Sequence, residues 1–157
     1  MKKAVNIQIR KAESTDLIQV YGLIKELAIF EKAPDQPSNP LEKFIQEGSA
    51  KQPRFQVLVA EQENEIVGMA MYYFGYSSWK GSMLYLDDLV VKEAFRGHGI
   101  GKQLMDELLN IAKEERVSLV FWQVLDWNEK AIQFYKQYPV TFDAQWVNVK
   151  MDLSKAY

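Results

Sequence analysis

Two kinds of chemically useful residue lie close together in the segment 85–102. The adjacent carboxylates Asp87 and Asp88 come first, and a turn follows that contains the cation of Arg96 and three glycines. Glycine leaves backbone N–H groups accessible, and at the start of a helix these groups can converge on an anion. The segment therefore predicts a site for a ligand that carries a pyrophosphate or several phosphates.

The spacing of the turn excludes the two commoner nucleotide-binding loops. A P-loop needs glycine where Arg96 stands and Ser or Thr where Gln103 follows Lys102. The dinucleotide fingerprint needs glycine at Lys102 and a parallel sheet, whereas the preceding segments read as antiparallel strands. The pattern that remains is R-x-x-G-x-G directly after a strand.

Hydrophobic periodicity predicts the elements that must position these residues. Strands are expected at 5–10, 55–60, 65–76, 82–91, 119–125 and 145–152, and helices at 16–30, 41–46, 102–115 and 128–137. The three central strands read as an antiparallel meander. Prolines at 34, 37 and 40 predict a surface loop at 31–40, which is a candidate wall for a substrate site.

Composition limits the class of protein. With 157 residues the chain is predicted to form one domain, 1–157, and with no cysteine it can have no disulfide, thiolate metal site or thiol nucleophile. A net charge of −2 with scattered basic residues argues against nucleic acid as a partner. No ligand cluster suggests a metal, no apolar run is long enough for a membrane span, and we expect a cytoplasmic protein.

Several short motifs, taken together, resemble the GNAT family of N-acetyltransferases. Besides the R-x-x-G-x-G turn, they are V-G-M-A-M-Y-Y-F from Val67, Trp79, Gly81, Tyr85-Leu86, Trp127-Asn128 and Phe134-Tyr135. Within the family, the chain looks like the spermidine/spermine (diamine) and thialysine acetyltransferase branch. This resemblance implies an α/β fold with a mixed, mostly antiparallel central sheet flanked by helices. It also implies a homodimer that transfers acetyl from acetyl-CoA to a small primary amine in a ternary complex.

The resemblance also implies which residues hold the cofactor. In such folds the strand before the turn separates from the next one, so its backbone can bind the thioester and the turn can bind the pyrophosphate. The matching positions here are Leu89, Val90, Val91, Arg96, Gly97, His98, Gly99, Ile100, Gly101, Lys102, Asn128, Lys130, Ala131 and Tyr135. We do not interpret His98 as a base, because a side chain between two glycines of such a turn usually faces solvent.

Catalytic roles are likewise carried over from the resemblance. Tyr135 matches a tyrosine that points at the CoA sulfur, which makes its phenol the candidate general acid. Asp87 stands where the family has a glutamate that contacts the substrate, and it is the candidate base, acting directly or through water. Because Asp87 and Asp88 are neighbours on a strand, we expect them to point to opposite faces, with only one facing the acetyl group.

The amine site is expected to contain further residues. Glu31 matches a family carboxylate at the end of the first helix, Phe30 stands where a tyrosine is usual, and Trp146 and Asp88 match substrate-contacting positions. Ala144 replaces a family glutamate. Since several charged contacts bind a long polyamine, this loss should weaken spermine more than a short amine or an amino acid.

Two alternatives stay open at this point. One is N-acetylation of proteins or peptides, against which the proline-rich loop argues weakly. The other is a non-catalytic acyl-CoA-binding regulatory module, suggested by the substitutions at Asp87 and Ala144.

Overall fold

The computed structural model describes residues 6–154. The chain divides into two compact units, Met1–Trp122 and Gln123–Tyr157. The first contains the sheet and three helices, and the second contains one short helix and the C-terminal segment. The prediction of a single domain over 1–157 stays a prediction.

The first unit is built on a five-stranded sheet in the order β1-β2-β3-β4-β5. The strands are β1 (Gln8–Lys11), β2 (Gln56–Gln62), β3 (Glu65–Ser77), β4 (Gly81–Val91) and β5 (Leu119–Phe121). Neighbours from β1 to β4 are antiparallel, whereas β5 runs parallel to β4. This confirms the predicted mixed, mostly antiparallel sheet. Val5, placed in the first predicted strand, lies outside the described residues.

Three helices belong to this unit. They are α1 (Leu17–Phe30), α2 (Leu41–Gly48) and α3 (Ile100–Glu114). Short 3-10 turns at Ser14–Asp16 and Glu93–Phe95 precede α1 and follow β4. None of the helices in residues 6–154 combines the length and apolar character that crossing a membrane requires.

One face of the sheet packs against α1. Its buried cluster joins Val20 and Leu23 of α1 to Met69 and Val90 of the sheet, and Met71 packs against it. Burying a side chain of this size stabilises the fold by roughly 1.5–3 kcal/mol. The cluster therefore fixes α1 across β3 and β4, and with it the position at which α1 ends.

On the other face, α3 lies close to β3 because Gly68 has no side chain. A Cβ atom at Gly68 would lie 3.1 Å from the Val90 carbonyl oxygen and 3.3 Å from Leu104 Cδ1. Leu104 and Leu108 of α3 are fully buried. This close packing holds the start of α3, and hence the glycine turn before it, against the end of β4.

The second unit differs most from the sequence prediction. Its helix, α4 (Glu129–Tyr135), forms within the predicted range, but the strand predicted at 145–152 is wrong, since that segment forms no strand in residues 123–154. Val147, Val149 and Met151 are almost fully exposed instead. Alternating hydrophobicity matches a strand, yet a strand needs a hydrogen-bonded neighbour, which local sequence cannot supply. The strand predicted at 119–125 likewise ends at Phe121.

Candidate functional site

The glycine turn has the open backbone that an anion requires. Gly97 and Gly99 have φ angles of 78° and 77°, which favour glycine. A Cβ atom at either position would meet nothing within 4 Å, so the need for glycine is conformational and the outer side of the turn is open.

Backbone N–H groups at the start of α3 face this turn. The N–H of Gln103 donates the first helical hydrogen bond, to the Gly99 carbonyl at 3.0 Å. The preceding N–H groups, from Ile100 to Lys102, therefore have no carbonyl within the helix. Ile100 is buried, so it offers the site only its backbone. The turn and helix start together fit a pyrophosphate.

Side chains of the turn are largely engaged by the protein. Lys102 forms an ion pair with Asp106 one helical turn along α3. His98 is exposed, with Nδ1 3.2 Å from the Phe95 carbonyl oxygen. Arg96 Nε donates to the Val91 carbonyl at 2.9 Å, and its guanidinium lies 5.4 Å from the centre of the Phe30 ring.

The edge of β4 beside the turn has no strand partner in the described sheet. β5 pairs only with Met83, Leu84 and Tyr85. Within the described sheet, 86–91 therefore has a strand neighbour only on the β3 side. β4 and β5 thus separate after Tyr85, whereas the expected backbone contacts of Leu89, Val90 and Val91 with a ligand stay a prediction.

A β-bulge in β4 interrupts the regular alternation from which we expected Asp87 and Asp88 to face opposite sides. Met71 of β3 lies opposite Asp88, but the next residue, Tyr72, lies opposite Leu86, so Asp87 is an extra residue. A bulge changes the alternation of side chains along a strand. As a result Asp88 and the residue pair Tyr73–Tyr85 share the face of the sheet that α1 covers.

Electrostatics place Asp87 in the same region. Its charge contributes, after burial, to the raised pKa values of Tyr73 and Tyr85. Burial, followed by the charges of Asp87 and Glu31, raises the pKa of Asp88 to about 7. Two carboxylates from β4 and one from the end of α1 therefore lie within electrostatic reach of one another.

We call Glu31, Asp87 and Asp88 the acidic site. Burial also raises the pKa values of Glu31 and Asp87, so all three groups lose some stabilisation of their charged form. In the part of the chain that the structure describes, no Lys or Arg forms an ion pair with any of the three. Nor is any group of three or more His, Cys, Asp or Glu in residues 6–154 arranged to hold a metal ion.

An aromatic row adjoins the acidic site, and sequence reasoning missed it. Tyr73, Tyr85 and Phe121 lie side by side on three strands, with ring centres 5.0 Å and 5.5 Å apart. Tyr73 and Phe121 are 39% and 45% exposed, so the row is a surface and not core. The available signal was Tyr85, two residues before Asp87 on the same strand.

Other predicted site residues belong to the second unit. Asn128 caps α4, with its Oδ1 accepting from the Ala131 N–H at 3.2 Å. Tyr135 ends α4, is buried, and packs edge-on against Phe134 with ring centres 5.3 Å apart. Lys130 and Trp146 are exposed. The roles assigned to these residues stay predictions, as do those of the turn and the acidic site.

Comparison with known sequences gives a consistent result. Residues 20–138 match the model of the Acetyltransferase (GNAT) family. The chain is 37% identical to the thialysine N-epsilon-acetyltransferase of Bos taurus over 138 residues, which cover 83% of this chain and 81% of that protein. It is also 36% identical to the spermidine/spermine N(1)-acetyltransferase-like protein 1 of Homo sapiens, covering 82% of this chain and 19% of that protein.

Solved structures show the same fold. An aminoglycoside acetyltransferase from an uncultured soil metagenomic sample, in complex with trehalose, superposes with a TM-score of 0.77 at 25% identity, covering 94% of this chain and 97% of that one. An aminoglycoside N-acetyltransferase in complex with CoA also superposes with a TM-score of 0.77, at 15% identity, covering 96% of this chain and 98% of that one. The second likeness concerns the fold alone.

Proposed function

Since the chain belongs to the acetyltransferase (GNAT) family and is an acetyltransferase, we propose that it acetylates a small amine that carries more than one cationic group. Diamines, polyamines and amino-acid-like amines such as thialysine form this class. The observation that carries the proposal is the acidic site, three neighbouring carboxylates with no internal ion pair in residues 6–154. The names of the sequence relatives support it.

Acetyl-CoA fits the turn described above. Open positive-φ glycines at 97 and 99 and the N–H groups that begin α3 suit its pyrophosphate. The edge of β4 that has no partner in β5 suits backbone contacts to the rest of the cofactor through 89–91, and Asn128, Lys130 and Ala131 are proposed to contribute from α4. When bound, acetyl-CoA supplies the acetyl group as a thioester.

The acidic site serves the amine in two ways. Its negative charge attracts an ammonium, and a carboxylate can then accept the proton that the ammonium, with a pKa near 10, must lose before it reacts. The sequence interpretation gave the base role to Asp87 alone. Because the bulge places Asp88 beside it with a pKa near 7, we assign proton acceptance to the Asp87–Asp88 pair.

The aromatic row extends the site along the sheet. Tyr rings offer apolar surface to an alkyl chain and a negative face to a second ammonium. Asp87 lies near both Tyr73 and Tyr85, as its effect on their pKa values shows. A substrate with one reacting amine and one distant cation therefore suits this surface better than a simple monoamine.

Tyr135 is proposed as the acid that donates its phenolic proton to the departing thiolate. With no cysteine in the chain, acetyl cannot pass through a thiol of the protein, and we propose direct transfer in a ternary complex. Tyr135→Phe should lower kcat by about 10²–10⁴ with acetyl-CoA binding unchanged. Full kcat in this variant, with chemistry shown to limit the rate, would refute the assignment.

We also propose that the enzyme acts as a cytoplasmic homodimer. The resemblance supports a dimer, and the exposed apolar side chains Trp146, Val147, Val149 and Met151 offer surface that a second copy can cover. Light scattering after size-exclusion chromatography should give a dimer mass. A monomer at micromolar concentration would contradict this part of the proposal.

A substrate panel tests the proposed function most broadly. Spermine, spermidine, putrescine, thialysine, lysine and butylamine should be compared by thiol release at saturating acetyl-CoA. Amines with two cations should react with higher kcat/KM than butylamine, and spermine should gain little over putrescine because Ala144 lacks a carboxylate. Equal rates for butylamine and putrescine would contradict the role of the acidic site.

A further inference from the structure

Arg96 lies in one of the three segments that the proposed reaction uses, and it contacts the other two. It is the first residue of the glycine turn, its Nε donates to the carbonyl of Val91 at the end of β4, and its guanidinium lies over the ring of Phe30 at the end of α1, 5.4 Å from the ring centre. β4 carries the two aspartates, and Glu31 directly follows Phe30. One side chain thus links the proposed cofactor turn to both elements that form the acidic site.

The contact with Phe30 matters because the end of α1 is a strained turn. The helix closes with the N–H of Ala33 donating to the Ala28 carbonyl at 2.8 Å. Lys32, within this closure, has φ of 60°, a left-handed conformation that is uncommon for a residue with a side chain. Glu31 lies in this turn, so its position depends on what holds the helix end in place.

Phe30 is well suited to receive that support from outside the helix. Its side chain is 42% exposed, and the Arg96 guanidinium lies over the face of its ring. A planar guanidinium stacks on an aromatic ring and can still donate hydrogen bonds from its edge. Arg96 can therefore contact Phe30 and a phosphate at the same time.

We propose that Arg96 is a positioning residue that couples the two binding sites. When the glycine turn is ordered around a pyrophosphate, Arg96 is ordered with it and holds Phe30, which fixes Glu31 for the amine. The amine therefore binds more tightly to the protein that already holds the cofactor, and by linkage the cofactor binds more tightly when the amine is present. This inference rests on the proposed function.

Calorimetry of a non-reacting complex tests the coupling. The dissociation constant of putrescine is measured without and with saturating CoA, and the ratio of the two values is the coupling factor. For the wild type we expect a factor of about 2–5, the range of an exposed cation–π contact. Phe30→Leu should bring the factor close to 1 while the affinity for CoA alone stays unchanged.

Matched variants separate positioning from other roles. Phe30→Tyr keeps a ring and should keep the coupling, whereas Ile29→Ala removes a neighbouring exposed apolar side chain, 66% exposed, and should leave it unchanged. Arg96→Gln should abolish the coupling, and the double variant with Phe30→Leu should show no additional loss of coupling.

Three outcomes would overturn the inference. One is a wild-type coupling factor retained in Phe30→Leu. In another, Arg96→Gln lowers the affinity for CoA and leaves the coupling factor unchanged, and the loss of affinity is the same in the wild-type and Phe30→Leu backgrounds. Arg96 would then be only a phosphate ligand. The third is a wild-type protein that binds CoA but no amine in its presence, which would overturn the proposed function together with this inference.

Discussion

The carboxylates at the two ends of α1 differ in whether a cation of the protein pairs with them. Before its start, Asp16 receives two hydrogen bonds from Arg10, at 2.6 Å and 3.0 Å, and Arg10 also donates to Glu61 at 2.6 Å. At its other end, Glu31 lies near Asp87 and Asp88, and no Lys or Arg in residues 6–154 forms an ion pair with them. The carboxylates paired with Arg10 stabilise the fold, whereas we propose that the three without an internal cation bind the cation of a ligand.

The two ends also respond oppositely to protons. The hydrogen bonds from Arg10 lower the pKa of Asp16, so its contribution to stability is present above pH 3.8 and is lost as the pH falls below that value. Burial and neighbouring charges raise the pKa of Asp88, so the folded state is penalised as the pH rises from 3.8 through about 7. The charged form of Asp16 stabilises the folded state, whereas the charged form of Asp88 destabilises it.

Removing both aspartates of the acidic site should produce the largest effect. The double variant Asp87→Asn, Asp88→Asn should lose about 10²–10⁴ in kcat/KM for putrescine, because neither the cation partner nor the proton acceptor remains. Its free energy of unfolding in urea at pH 8 should equal or exceed that of the wild type. A large loss of stability with retained activity would show that these two aspartates stabilise the fold and do not serve the substrate.

Arg10→Gln makes the matching change at the other end of α1. Asp16 and Glu61 lose their charged donor, so the free energy of unfolding should fall by about 1.5–3 kcal/mol. The rate constant kcat should stay at the wild-type level below the unfolding temperature. A drop in kcat in the folded variant would show that this ionic group is not purely structural.

The pH dependence of the unfolding free energy should distinguish the contribution of Asp88 from that of the other titrating groups. Urea denaturation of the wild type and Asp88→Asn is compared from pH 4 to pH 8. The wild type should lose stability relative to the variant between pH 3.8 and about 7, since only the wild type must bury a charge there. A constant difference across this window would mean that Asp88 titrates normally.

Glu31→Gln should show the smallest effect. As a half-buried charge at the edge of the acidic site, Glu31 is expected to change the KM for putrescine by about two- to fivefold, with kcat nearly unchanged. Glu26→Gln, an exposed charge on the same helix, is the matched control and should change neither value. An equal change of KM in both variants would mean that Glu31 acts only through the long-range attraction between the negative protein surface and the cationic substrate.

Local sequence was sufficient for the parts of the molecule that depend on short-range patterns. The helical spacing of α1 and α3 and the glycine turn between β4 and α3 were predicted because periodicity and glycine conformation are properties of neighbouring residues. The family resemblance, and with it the class of reaction, followed from the same short motifs.

What sequence could not show depends on which segments meet. The bulge at Asp87 arises from the register between β3 and β4, and it interrupts the alternation that predicted the two carboxylates on opposite faces. The cation–π contact of Arg96 with Phe30 joins positions far apart in the chain. The incorrect prediction of a strand at 145–152 has the same cause. Hydrophobic residues alternate there, but the segment forms no strand, because alternation does not supply a neighbouring strand to pair with.

The titration of the Asp88 carboxyl by carbon-13 NMR, in the CoA complex with and without putrescine, tests the central claim most directly. We expect a pKa near 7 without the amine and a clear fall when the diamine binds, because the ligand then supplies the cation that the acidic site lacks. A pKa near 4 in both states, or a raised pKa unmoved by bound diamine, would contradict it.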